Sequence, residues 1–248
     1  DEPLDSAAFS VPPADHRPRI ALLDGLPMAG HIALSERLVI DDPDEIAASY
    51  TVSQMQHGTA MASLICHGDL NAAGESTQRR LYVRPIMQPH PFDGQQETVL
   101  TDRLLVDLVH EAFRRLFERH GQQEPVAPSV RIVNLSIGDP IQMFVRRISP
   151  LAELLDWLAH TYNVLIVVSA GNHPIDTDIP AAALLDADEL RRAVGTAMYE
   201  QARRRRLLSP AEAVNVISVG ALHADAATTP TSDTVLDTND PGMPAPYS

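Results

Sequence analysis

The sequence predicts an α/β domain in three layers, a mostly parallel sheet with helices on both faces. Three observations carry this. Short apolar runs alternate with amphipathic stretches along most of the chain. The runs, of which Val164-Leu165-Ile166-Val167-Val168 is the most apolar, are hydrophobic at consecutive positions, as strands buried on both faces are. Several stop at short polar or glycine-bearing turns, Asp24-Gly25 after the first and Ala170-Gly171-Asn172 after the fourth. Parallel α/β sheets gather their functional groups at such carboxyl ends.

Taken in order, residues 1–18 are polar and proline-rich and read as an irregular lead-in. Arg19 to Leu23 is the first strand, with Asp24 at its end. Gln56-His57-Gly58-Thr59-Ala60-Met61-Ala62 opens a helix from about His57 to Cys66, small enough in its side chains to pack closely; the glycine after the histidine is expected to let the backbone turn tightly. Leu81 to Ile86 is a second strand, cut short by Pro85. Residues 87–99 read as a loop. Thr101 is the expected N-cap of a helix running to about His120, with Leu105, Val109, Phe113 and Leu116 on one face and Gly121 ending it. Val130 to Ser136 is the third strand. Ser149-Pro150 is a cap followed by proline at the first helical position, for a helix with Leu151, Leu154, Leu155 and Leu158 inward. Val164 to Ser169 is the fourth strand. A charged helix follows over 186–206, ending in four arginines. Ser209-Pro210-Ala211-Glu212 has the spelling of a capping box, and Val216 to Gly220 is a fifth strand. From Asp225 onward there is little periodic signal.

Composition narrows the function. The chain has 248 residues, 44% of them hydrophobic, enough for one large domain or two small ones. No apolar stretch is long enough to span a bilayer, so no membrane role is expected. A net charge of −14 argues against general nucleic-acid binding. All nineteen basic residues are arginine, and Arg203 to Arg206 reads as a solvated helix end or an anionic-partner patch. The single cysteine, Cys66, excludes an internal disulfide and reads as a small buried hydrophobe. The missing signal peptide and the unpaired cysteine lean towards the cytoplasm. The first residues, Asp1-Glu2-Pro3, read as a piece cut from a longer protein. His67, His90 and His110 have no metal-ligand spacing, so no zinc site is expected.

Each candidate site residue has a bland reading. Asp24 fits a turn aspartate, His57 a structural histidine, and Ser136 with Gly138 a tight strand end. As an ordered set they say more. Asp24, His57-Gly58-Thr59, Asn134-Leu135-Ser136-Ile137-Gly138 and Ser169-Ala170-Gly171-Asn172 resemble the motifs of the subtilisin-like serine peptidases, the subtilases. The resemblance covers residues 19–248. It implies a triad in which Asp24 orients His57 and His57 moves the proton of a serine. It makes Asn172 the oxyanion donor, and Ser136, Ile137, Gly138, Ala170 and Gly171 the lining for an extended polypeptide substrate. Calcium braces many subtilases; Asp41-Asp42-Pro43-Asp44-Glu45 and Asp176-Thr177-Asp178 are acidic enough, but neither matches a defined calcium loop, and no cofactor is expected.

This sequence departs from the family pattern in four ways. Asp24 is followed by Gly25-Leu26 in place of a small hydroxyl residue and glycine, and Ser63 stands where a glycine is usual. Residues 87–128 and 174–213 are longer than their counterparts. The nucleophile segment, of the form Gly-Thr-Ser, is missing: Gly58-Thr59 and Gly195-Thr196 are both followed by alanine. Ala245-Pro246-Tyr247-Ser248 fits the hairpin before that segment. The expectation is therefore a serine endopeptidase domain whose C-terminal remainder, with the serine, lies beyond Ser248, this chain alone being inactive. The alternative is a catalytically silent module of the same fold that binds a peptide or partner.

Overall fold

Five-residue apolar runs between polar stops are the length of strands, and all five predicted runs form them. The computed structural model describes residue 9, residues 13–70, 75–93, 96–175, 179–180 and 186–222, and residue 245. In chain order the elements are β1 (Ile20–Asp24), β2 (Leu38–Ile40), α1 (Gln56–His67), β3 (Leu81–Pro85), β4 (Met87–Pro89), β5 (Glu97–Val99), α2 (Leu105–Phe117), β6 (Ile132–Leu135) and β7 (Asp139–Met143). They continue with α3 (Pro150–Tyr162), β8 (Leu165–Ser169), α4 (Ala187–Gln201), β9 (Leu208–Ser209) and β10 (Val216–Val219). Six strands make one sheet in the order β10-β8-β6-β1-β3-β2, every pair parallel. The short β2 is the strand that sequence periodicity did not single out.

β1 lies at the centre, with β3 on one side and β6 on the other. The chain first builds outward through β2 and β3, then crosses to the other half of the sheet. That reversal opens a crevice at the carboxyl ends of β1 and β6, the place where doubly wound sheets bind ligands. Asp24 ends β1 there, and Ser136 follows β6.

Alternation along each strand sends side chains to opposite faces. Ala21, Leu23, Tyr82, Val133, Leu135, Ile166 and Val168 join the main core, together with Leu108, Val109, Ala112, Phe113 and Leu116 of α2 and Leu151, Leu155 and Leu158 of α3. The amphipathic stripe of α2 is buried as its spacing predicts. Ser149 caps α3: its Oγ accepts from the Ala152 amide at 3.2 Å, and Pro150 takes the first turn, where its missing N–H leaves no bond unmade. On the opposite face Leu22, Leu81 and Val83 pack with Ala62 and Cys66 of α1. Cys66 is a buried free thiol, its pKa pushed by burial up to about 11. Among the described residues this second cover extends over only half the sheet. On that face Leu165 of β8 stays 40% exposed, and Ile217 and Val219 of β10 stay 48% and 49% exposed.

Several boundaries differ from the sequence expectation. Residues 87–99 are not a plain loop: β4 and β5 pair antiparallel, with Met87 opposite Val99 and Pro89 opposite Glu97. α2 begins at Leu105, four residues after Thr101, with no side-chain cap, and ends at Phe117; Gly121, at φ 61°, turns the chain three residues past the Glu118 cap position. The stretch 87–128 thus supplies a core layer through α2. α4 ends at Gln201, capped at its start by Asp186, and the arginines follow in a turn, where Arg205 donates to Gln201 and to the Ile175 carbonyl. Ser209-Pro210-Ala211-Glu212 starts no helix. Ser209 belongs to β9, which pairs with β7, and its hydroxyl meets that of Ser149 while Glu212 accepts from the Ser149 amide. The expected hairpin at 245–248 and the acidic run 176–178 lie outside the described residues, Ala245 apart.

Candidate active site

The sequence His57-Gly58-Thr59 has three separate physical jobs. Gly58 is inside α1, so its role is close approach and not the tight turn expected from sequence. A Cβ there would stand 2.4 Å from the Gly25 carbonyl oxygen. Thr59 clamps the same junction: its hydroxyl donates to the Met55 carbonyl at 2.5 Å and accepts from the Met28 amide at 2.9 Å. The start of α1 is thereby pressed against the end of β1, and His57 is carried to Asp24.

The His57 Nδ1 lies 2.7 Å from Asp24 Oδ1. A carboxylate only accepts, so Nδ1 carries the proton and, in the neutral ring, Nε2 keeps its lone pair. Asp24 is fully buried, and the same oxygen also accepts from the Gly25 amide at 2.6 Å. Its Oδ2 has no hydrogen-bond partner among the described residues. The His57 side chain is half exposed. The ring is thus fixed on one edge by a buried anion and open on the other.

A third group, not foreseen from sequence, stands beside this pair. Glu97 Oε2 is 3.9 Å from His57 Nδ1, on a side chain only 8% exposed. Tyr50 anchors it, with its hydroxyl 2.5 Å from Glu97 Oε1 and 3.0 Å from the Met87 carbonyl oxygen. The Asp24 carboxylate bonded to Nδ1 holds the His57 pKa above its ordinary value; burial opposes this, and the charges of Asp24 and Glu97 add to it. Burial pushes the Glu97 carboxyl up, with the Tyr50 hydrogen bond opposing and the Asp24 charge adding. The only sequence signal for Glu97 was the short alternation Glu97-Thr98-Val99 behind a proline-rich turn.

The remaining candidates sit on the same carboxyl edge. The register pairs Leu22 with Asn134, and Leu135 with Val168, so Ser136 follows level with Asp24, and Ala170 lies just past Ser169. Ser136 donates through Oγ to Asn134 Oδ1 at 3.0 Å, Ile137 is largely buried, and Gly138 packs on Gly171: a Cβ on Gly138 would be 3.1 Å from the Gly171 Cα. Among the described residues no backbone hydrogen bond joins Ser136, Ile137 or Gly138 to another segment, so this strand extension keeps its amides and carbonyls open. Gly171 has φ 108°, and a Cβ there would run into Leu208, so the position needs glycine. Ala170 is tied on both sides, donating to the Val219 carbonyl and accepting from the Leu208 amide. Asn172 follows, exposed to solvent.

For a metal, the candidate grouping among the described residues is Asp24, His57 and Glu97, whose ligand atoms lie within 4.8 Å of one another. His57 Nδ1 lies 2.7 Å from Asp24 Oδ1 and 3.9 Å from Glu97 Oε2. In the acidic run Asp41 to Glu45, Asp41 takes Arg115 and Tyr82, Asp42 caps the Ile46 and Ala47 amides, and Asp44 pairs with Arg84 and Arg103. No helix among the described residues is long and apolar enough to cross a membrane.

Among solved structures the chain is similar to the prenylagaramide maturation protease PagA, at TM-score 0.45 and 19% identity over 82% of this chain and 53% of that one. It is also similar to MycP1 with its N-terminal propeptide removed, at TM-score 0.40 and 18% identity over 87% of this chain and 59% of that one. The chain therefore spans between half and three fifths of the length of these two proteins. No curated protein sequence matches it. The model of the subtilase family, peptidase S8, matches residues 15–246, and the chain belongs to that family.

Proposed function

We propose that this chain is the front part of a serine endopeptidase domain of the subtilisin type, in which Asp24 and His57 are two members of the triad and the serine comes from a segment following Ser248. The observation that carries the reading is the 2.7 Å bond from His57 Nδ1 to a fully buried Asp24, at the carboxyl edge of β1, with the ring half exposed. A histidine held in this tautomer takes the proton of a serine hydroxyl on Nε2 as that oxygen attacks a peptide carbonyl, and returns it to the leaving amine. Asp24 stabilises the imidazolium formed in between. Asn172 donates its side-chain N–H to the oxyanion. The open backbone of Ser136 to Gly138 accepts the substrate as an added strand, and Ala170 and Gly171 form the facing wall.

The half-covered sheet supports the second part of the proposal. Leu165, Ile217 and Val219 are apolar, adjacent and exposed on the face where α1 covers only the other half. A parallel sheet is stable with both faces covered, so a further helix belongs there. A silent peptide-binding module is favoured by one observation alone, the absence of a Gly-Thr-Ser sequence from these 248 residues. Peptide cleavage by the longer protein decides between them. His57→Ala is expected to abolish cleavage while the protein stays folded; retained cleavage would remove His57 from the triad.

A further inference from the structure

We propose that Glu97 is a positioning residue for His57: lodged in the space that Gly25 leaves empty, its carboxylate forms with Asp24 a two-anion cradle around the Nδ1–H edge of the ring. This rests on the peptidase reading above. Three independent features of the structure lead to it.

The first is the fit between Glu97 and Gly25. A Cβ at position 25 would stand 1.9 Å from Glu97 Oε1 and 2.5 Å from its Cδ. Any side chain directly after Asp24, a small hydroxyl residue included, would evict the carboxylate. Glycine at 25 and glutamate at 97 are thus a matched pair, and the departure from the family pattern after Asp24 has a structural counterpart 72 positions away. The second is delivery. The β4–β5 hairpin places Glu97 at its turn end opposite Pro89, and Tyr50 holds Oε1 from the turn before α1. The third is charge. The side chain is almost completely buried, and among the described residues no arginine pairs with it and the nearest group that can become cationic is His57, 3.9 Å away. Two buried like charges repel, and an imidazolium between them relieves the repulsion.

The groups that face the ring among the described residues are Asp24 from β1, Glu97 from β5 and Tyr50 beside it, none of them cationic. His57 gains a positive charge in the transition state, when it holds the serine proton. A second anion favours that state on the pH plateau, and it also favours protonating the free enzyme, which silences the base. Removing the charge therefore has two opposite signatures: a lower plateau kcat and an acid limb moved to lower pH. General damage to the fold produces the first without the second.

The variant is Glu97→Gln, which keeps the shape and an acceptor for Tyr50. In the 248-residue chain the His57 ring is titrated by NMR, its signals assigned by loss in His57→Ala. The expected result is titration at lower pH in Glu97→Gln than in wild type. In the longer, active protein the kcat/KM profile moves the same way, with a relative gain of roughly threefold or more on its acid side. Gly25→Ala, which pushes Glu97 out, should reproduce the shift, and combining it with Glu97→Gln should add little. An unmoved His57 titration in folded Glu97→Gln and Gly25→Ala proteins would overturn the proposal. Because the titration needs no nucleophile, it stands apart from the peptidase reading. A shifted titration in a protein that never cleaves peptide sinks that reading alone, and cleavage with an unmoved titration sinks this one alone.

Discussion

At His57 the two ring nitrogens have different tasks, and the residues around them divide accordingly. Nδ1 faces Asp24 and Glu97, and the ring is half exposed, which in the proposed triad leaves Nε2 for the serine. Asn172, exposed just beyond the Gly171 turn, is the oxyanion donor of the proposed mechanism. An oxyanion donor acts on the transition state and not on the bound substrate. Asn172→Ala should therefore lower kcat by about 10²–10³ with little change in KM, measured on a peptide ester or amide. A rise in KM with kcat unchanged would show that Asn172 holds substrate instead. Asp24 and His57 were legible in sequence because each sits where an element begins or ends, at a strand stop and at the start of a small-residue helix. Glu97 and Tyr50 were not. Their positions depend on a three-residue hairpin and a turn far apart in the chain, and nothing local in either marks a site.

Among the elements, α1 does most to build the site, and its two faces set different demands. Ala62 and Cys66 pack on the sheet, while Gly58 touches the Gly25 and Leu26 backbone. Glycine inside a helix costs about 1 kcal/mol relative to alanine. At position 58 the gain from Gly58→Ala is outweighed by overpacking against rigid backbone, worth about 1–3 kcal/mol. Gly195 in α4 has open space around its Cβ position, so Gly195→Ala should stabilise by up to about 1 kcal/mol. Urea unfolding of the two variants should give midpoints moving in opposite directions at similar m-values. A stabilising Gly58→Ala would mean that α1 is free to move away from β1. The interiors of the elements were readable from periodicity, as α2 and α3 illustrate. The ends were not: Ser209 has a cap spelling but serves the start of α3, 60 positions earlier, and α2 begins four residues past Thr101.

For the whole molecule, the sheet gives the account its shape. Six parallel strands were foreseen as at least five, because fully buried strands leave continuous apolar runs. β2, only three residues long, leaves too short a run to separate from its surroundings. The carboxyl edge of the sheet gathers Asp24, His57, Ser136 to Gly138 and Ala170 to Asn172, while β8 and β10 leave apolar side chains exposed on the α1 face. Both facts support the proposal of a segment that would close the sheet and bring a serine to His57. The most direct measurement is labelling by a fluorophosphonate serine-hydrolase probe of this chain and of a longer protein extended past Ser248, each with a His57→Ala control. The account predicts labelling of the extended wild-type protein alone. An extended protein that folds but never labels would contradict it and leave the chain as a peptide-binding member of its family.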